Sequence, residues 1–187
     1  MSPALRRLHA LWRRPGREMA DGWWDKLGLA GWRSAYAAQT LTRPALDSLI
    51  ASRLGHAGGA PEPSPLAEAL LEDDMRREAL CAALGLWALR CPDYLLLKPY
   101  REALSPVLDA RAQTQLQALL PRGAAAAELA PAELPDAARA LGAAWLADAA
   151  EPSLRLCRLL WAPSAQAAPA APAAPLEPAL QKLSRWL

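Results

Sequence analysis

The residues that could do chemistry are few and poorly placed for it. The densest polar string is Glu72-Asp73-Asp74-Met75-Arg76-Arg77. Adjacent aspartates followed by arginines could begin a Mg²⁺-diphosphate site, but that site needs carboxylates one helical turn apart on the same face. The residue four past Asp73 and three past Asp74 is Arg77, and no second aspartate-rich string occurs. The string reads as the solvated, acidic-to-basic start of a helix. A serine or cysteine nucleophile needs a histidine base. The two histidines, His9 and His56, stand alone, one in a peripheral helix and one in a glycine-rich loop. The three cysteines, Cys81, Cys91 and Cys157, form no CxxC pair and with two isolated histidines make no zinc set. Cys81 and Cys157 lie in apolar runs, as thiols kept in a reducing compartment do. No catalytic residue, metal, cofactor or small-molecule substrate is expected.

What remains to act with is apolar. Trp23 and Trp24 are adjacent, about 100° apart on a helix. Both can be buried only if the rest of the fold wraps the segment, and an exposed one would be an interface anchor. Trp87 and Trp145, in strongly helical apolar stretches, are expected in the core. At the end of the chain Leu176, Leu180, Leu183 and Leu187 are spaced 4, 3 and 4, with Trp186 beside them. This makes one apolar stripe on a helix too short to be stable alone in water. It must dock, on its parent domain or in a partner's groove, and the high local concentration favours the parent. These seven residues, Trp23, Trp24, Leu176, Leu180, Leu183, Trp186 and Leu187, are the candidate protein-interaction positions.

The scaffold that holds them must be helical. Ala and Leu account for 80 of 187 residues, while Ile and Val occur once each, Thr three times and Phe not at all. Strands draw on β-branched and aromatic residues, so a sheet is excluded and an all-α, irregular helical bundle follows. One domain is expected over 1–161, then a Pro/Ala-rich linker over 162–175, extended and semi-stiff, then a C-terminal amphipathic helix over 176–187. Within the domain, helices are expected over 4–14, ended by Pro15-Gly16, and over 43–54, stopped by Gly55. A long central helix is expected from Ser64 to Arg90, with Leu71, Met75, Ala82, Leu86 and Leu89 buried on one stripe and Leu84 beside them, and Cys91-Pro92 breaking it. Further helices are expected over 106–120, 135–149 and 153–161.

Charge and hydropathy narrow the partners. The net charge is +2 and charged residues make up 21% of the chain, too balanced for a general nucleic-acid binder. The longest strongly apolar run, Ala79 to Leu89, has 11 residues, about half of what a membrane span needs. The basic stretch 4–14 lacks the apolar core of a signal peptide. With its leucines and Trp12 it could touch an anionic membrane, but packing on its own domain is favoured. A cytoplasmic protein is expected, with at most peripheral membrane contact.

One resemblance gives these exclusions a direction. The stretch Ala79–Leu120 places a buried helix with Leu84-Gly85, a short break, an arginine-bearing turn and a further helix in order. Leu141–Trp161 follows with Leu141-Gly142, a break and an Arg/Leu helix. Together they resemble the K-type cytosolic accessory proteins of bacterial type III secretion sorting platforms. The resemblance implies a non-enzymatic adaptor at the cytosolic face of the inner membrane. Its partners would be the cytosolic domain of the inner-membrane ring protein and the pod scaffold protein. The rival reading is an all-helical cytosolic chaperone or maturation factor that grips one client protein.

Overall fold

The computed structural model describes residues 2–120, 126–147, 149–163 and 176–186, together with the side chains of 178 and 181–185 in the last stretch. The described chain is all-α, with no strand among the described residues. In order, the helices are α1 (Pro3–Arg13), α2 (Pro15–Glu18), α3 (Gly22–Lys26), α4 (Arg33–Ala38), α5 (Arg43–Arg53), α6 (Pro65–Glu72), α7 (Asp74–Leu89), α8 (Asp93–Leu96), α9 (Lys98–Leu104), α10 (Ala110–Leu119), α11 (Leu134–Ala147), α12 (Pro152–Cys157) and α13 (Leu176–Trp186). Single 3₁₀ turns lie at Ala30–Trp32 and Arg158–Leu160.

The helices expected in one domain over 1–161 fall into two units. Unit 1 is Met1–Glu72 with Ala150–Pro163, and unit 2 is Asp73–Ala149 with Ser164–Leu187. The division falls inside the helix expected from Ser64 to Arg90, which is two helices. Asp73 leaves helical geometry (φ −134°, ψ 126°) and its carboxylate accepts the Arg76 N–H at 2.9 Å, capping α7. A side-chain cap satisfies one of the orphan N–H groups at a helix start, so the acidic string is the helix start that its composition indicates. The new start also moves the buried face. Leu71, Ala82, Leu84 and Leu86 are buried and Leu89 is half-buried. Met75, in the first turn of α7, is 83% exposed, against expectation.

Unit 1 is built of short helices around α1. Ser2 caps α1 through the Leu5 N–H, and Ala4, Leu8 and Leu11 are its buried face, packed on α6, α12, α2 and α5. The joints between segments are polar. The Ala20 N–H reaches the Leu159 carbonyl at 2.8 Å, and Arg53 donates to the Leu27 carbonyl. Glu151, at the start of α12, accepts the Ser153 and Leu154 N–H groups and the Ser64 hydroxyl at 2.8, 3.0 and 2.9 Å. Ser64 in turn accepts the Ala67 N–H in the first turn of α6, so one carboxylate ties two helix starts together.

Unit 2 is built on the crossing of α7 and α11. A methyl group added at Gly85 would overlap the Ala138 carbonyl oxygen, and one at Gly142 would overlap that of Cys81. The two backbones touch, which only glycine at both positions allows. The Cys81 thiol donates to the Arg139 carbonyl at 3.2 Å beside the crossing. Gly85 and Gly142 belong to the Leu84-Gly85 and Leu141-Gly142 pairs, and each opens its helix to the other. Arg90 ends α7 at φ 52°, in the left-handed region. Elsewhere in the unit, Tyr94 accepts the N–H groups of Glu128 and Leu129 and packs edge-on against Tyr100, which donates to the Leu129 carbonyl. The helix α13 belongs to this unit. It packs on α7 and α10, with Leu183 buried and Arg76 donating to the Ser184 carbonyl at 2.8 Å.

Candidate functional site: an arginine-lined cleft

The most developed polar site lies in unit 1, where the chain turns between α1 and α2. Arg14 leaves helical geometry at the end of α1, and Pro15 starts α2 at a position that has no use for an N–H. The turn aims the Gly16 N–H at Asp47 of α5, whose Oδ1 accepts it at 3.0 Å. The Tyr36 hydroxyl, from α4, donates to the same carboxylate at 3.1 and 3.2 Å. Both side chains are buried. A methyl group at Gly16 would lie 2.9 Å from the Tyr36 ring and 3.1 Å from Asp47 Oδ1, so the pair closes over a residue without a side chain. Trp24 backs Tyr36 with ring centroids 5.2 Å apart.

Arg43 joins the cluster from the start of α5. Its Nε and Nη2 donate to the Tyr36 and Ala37 carbonyls, each at 2.9 Å, satisfying acceptors that the end of α4 leaves open. Around this floor runs a cleft of about 890 Å³. Arg13, Arg14, Arg17, Ala37, Thr40, Pro44 and Ser48 line it as well. Among the described residues no carboxylate comes within ion-pair distance of Arg13 or Arg14. Arg17 has only a 3.9 Å contact with its neighbour Glu18 and is 72% exposed.

The electrostatics of the floor follow from its burial. Burial pushes the Asp47 carboxyl above its usual range; the Gly16 and Tyr36 hydrogen bonds and the charges of Arg14 and Arg43 offset part of that rise. Tyr36 is pushed up to about 12, by burial first and then by the charge and hydrogen bond of Asp47. The phenol therefore stays a donor at neutral pH. Asp47 is occupied in holding Gly16 and Tyr36, while the lining guanidiniums border open space. The arrangement suits an anionic ligand.

The residues predicted from sequence lie elsewhere. Trp23 and Trp24 are both buried in unit 1, so neither is the exposed anchor that would make them interaction positions. The Trp23 Nε1–H donates to the Trp161 carbonyl at 2.9 Å, and Lys26 and Arg158 lie over its ring at 5.5 and 5.4 Å. Two adjacent indoles can both be buried because segments far along the chain wrap the short helix that carries them. Leu183 is buried in unit 2. The side chains of Leu176, Leu180 and Trp186, and Leu187 as a whole, lie outside the described residues. His56 stacks on Trp12 at 4.2 Å, nearly parallel, and burial pushes its imidazole below its usual range. Among the described residues no group of three His, Cys, Asp or Glu side chains could hold a metal ion. No helix there is long and apolar enough to cross a membrane.

Sequence reasoning missed Asp47, Tyr36 and Arg43. A signal for Asp47 exists: it falls beside Leu46 and Ile50 on the buried face of α5, and a buried carboxylate needs partners. Trp32, Leu41 and Leu49 are large apolar side chains exposed in unit 1; helical spacing puts Leu49 on one stripe with Leu46, Ile50 and Leu54, and its exposure goes against that reading. Leu41 is 94% exposed and Leu49 40%, and they directly follow the cleft residues Thr40 and Ser48 in the chain.

Comparison with known proteins adds a family to this geometry. A family model described as a type III secretion system subunit matches residues 6–160. The match runs through both units and stops short of α13. No curated protein and no solved structure matches the chain.

Proposed function

The chain belongs to the type III secretion system subunit family, and on that premise we propose that it is a non-enzymatic adaptor of the sorting platform. In this reading it works in the cytoplasm, at the inner face of the inner membrane. It links the cytosolic domain of the inner-membrane ring protein to the pod scaffold protein. The observation that carries the reading is the extent of the family match, which takes in both units from α1 to the 3₁₀ turn after α12. A secretion-system subunit acts by contact with other components of the apparatus. The two units, each with its own core, give such a subunit two bodies on which to carry different contacts.

The test is quantitative co-purification of the tagged chain from secretion-competent cells. The expected result is recovery of ring and pod proteins in a fixed ratio that survives washing. Recovery of one secreted client, lost on washing, would support a chaperone instead. Recovery of neither class at native expression would end the adaptor reading.

A further inference from the structure

We propose that the arginine-lined cleft of unit 1 binds an acidic peptide segment that also carries apolar side chains, supplied by another protein. The inference deepens the adaptor reading by naming the chemistry of one partner segment, and its assay stands apart from co-purification.

Charge is the first argument. Four arginines line the cleft, and the single carboxylate among them, Asp47, already accepts from Gly16 and Tyr36. Arg43 is committed to the end of α4. Arg13, Arg14 and Arg17 are exposed; among the described residues Arg13 and Arg14 have no carboxylate at ion-pair distance and Arg17 has only Glu18 at 3.9 Å, and planar guanidiniums match carboxylates through paired hydrogen bonds. The second argument is shape and polarity. A cleft of about 890 Å³ is far larger than one small inorganic anion requires and falls in the size range of ligand-binding clefts. Ala37 and Pro44 give it apolar walls, and the exposed Leu41 and Leu49 adjoin it in the chain. A small phosphate has no use for those leucines, whereas a peptide with alternating acidic and apolar residues does. The third argument is the absence of a filler from within. Outside the described side chains this sequence has two acidic residues, Asp148 and Glu177, far apart, so no such stretch supplies an acidic run.

The assay is fluorescence anisotropy on the purified full chain, with a labelled peptide of three Glu-Glu-Leu repeats against one of three Gln-Gln-Leu repeats. The acidic peptide is expected to bind, and to weaken as salt is raised through roughly the range where the Debye length falls from about 10 to 5 Å; the amide peptide is expected not to bind. The triple variant Arg13→Gln, Arg14→Gln, Arg17→Gln should lose about tenfold or more in affinity at an unchanged melting temperature. Asp47→Asn keeps an oxygen for Gly16 and Tyr36 while removing the opposing charge, so it should tighten binding. Leu41→Ser should weaken binding of the Glu-Glu-Leu peptide several-fold. Equal binding of both peptides, or full affinity in the triple arginine variant, overturns the proposal. So does displacement by inorganic triphosphate with no effect of Leu41→Ser, which would make the cleft a phosphate site. Binding to phosphatidylglycerol vesicles without binding the peptide would make it a membrane contact. Failure of this assay leaves the co-purification result standing, and the reverse is equally true.

Discussion

Unit 1 and unit 2 solve the same problem by opposite means. Both are made from a chain rich in alanine and leucine, which offers plenty of helix but little bulk to lock helices together. Unit 1 uses short helices and ties them with polar groups drawn from distant parts of the chain: Gly16 to Asp47, Ser64 to Glu151, Trp23 to Trp161. Unit 2 uses two of the longest helices and brings their backbones into contact at Gly85 and Gly142. The first design depends on hydrogen bonds that each contribute about 1 kcal/mol, so its strength is spread over many small terms. The second concentrates its strength at one crossing, where a single methyl group has nowhere to go. Polar ties also leave room for a cleft, and a backbone crossing does not.

The largest predicted effect tests that concentration. Gly85→Ala raises intrinsic helix propensity by about 1 kcal/mol, yet its Cβ would overlap a backbone carbonyl that cannot swing aside. The expected outcome is a loss of about 3 kcal/mol or more, with amide hydrogen exchange rising across 74–89 and 134–147. A neutral or stabilising result would show that the crossing is not as close as described. Leu86→Ala, in the same helix and fully buried, should cost about 2–5 kcal/mol through transfer and cavity terms. Chemical denaturation measures it, and a loss below about 0.5 kcal/mol would make α7 peripheral.

The corresponding change in unit 1 is Gly16→Ala. The added methyl meets a tyrosine ring and a carboxylate oxygen rather than backbone, so the expected loss is about 1–3 kcal/mol, with exchange rising in α4 and α5. A loss as large as that at Gly85 would erase the contrast between the units. The smallest effect belongs to Glu151→Gln, which weakens a helix cap and should cost about 1 kcal/mol at neutral pH. Here pH sharpens the reading. Burial pushes the Glu151 carboxyl up, but the Ser153, Ser64 and Leu154 hydrogen bonds outweigh it and leave it below its usual value. The unfolded chain therefore takes up that proton first as pH falls. The stabilisation is full above the ordinary glutamate range and is lost as pH drops through the lowered folded-state value. Thermal melts between neutral pH and about pH 3 should show the stability gap between the parent chain and the Glu151→Gln variant shrinking toward acid. A constant gap would mean that the charge is not what caps α12.

The helical class was legible because composition leaves a chain with five β-branched residues no route to a sheet. Helix α5 and its stop were legible in the stripe Leu46, Leu49, Ile50 and Leu54, of which Leu46 and Ile50 are buried, and in Gly55, which turns the chain at φ +74°. The break at Asp73 was not, because the apolar periodicity of α6 runs on into α7 and hides a cap that only backbone geometry reveals. Met75 went with it: the stripe that fits one long helix places it inward, and a helix restarted at Asp74 places it outward. The cleft was least legible of all. Arg13, Arg14, Gly16, Tyr36 and Asp47 share no spacing rule, and they meet only because the turn at Pro15 brings the end of one helix against the sides of two others. Leu84-Gly85 and Leu141-Gly142 were legible as a resemblance, while the reason for the glycines emerged from their mutual contact.

The three buried thiols give each unit an internal clock. Cys81 and Cys91 lie in unit 2 and Cys157 in unit 1, all reduced and all buried. Burial first, then the nearby Glu78, raises the Cys81 thiol well above its usual value, so even a small reagent meets an un-ionised, enclosed sulfur. Alkylation must then wait for the surrounding helices to part, and its rate reports how often they do. Mass spectrometry of a labelling time course would read three positions from one sample. It would time the breathing of a unit held by scattered polar ties beside that of a unit held by one crossing.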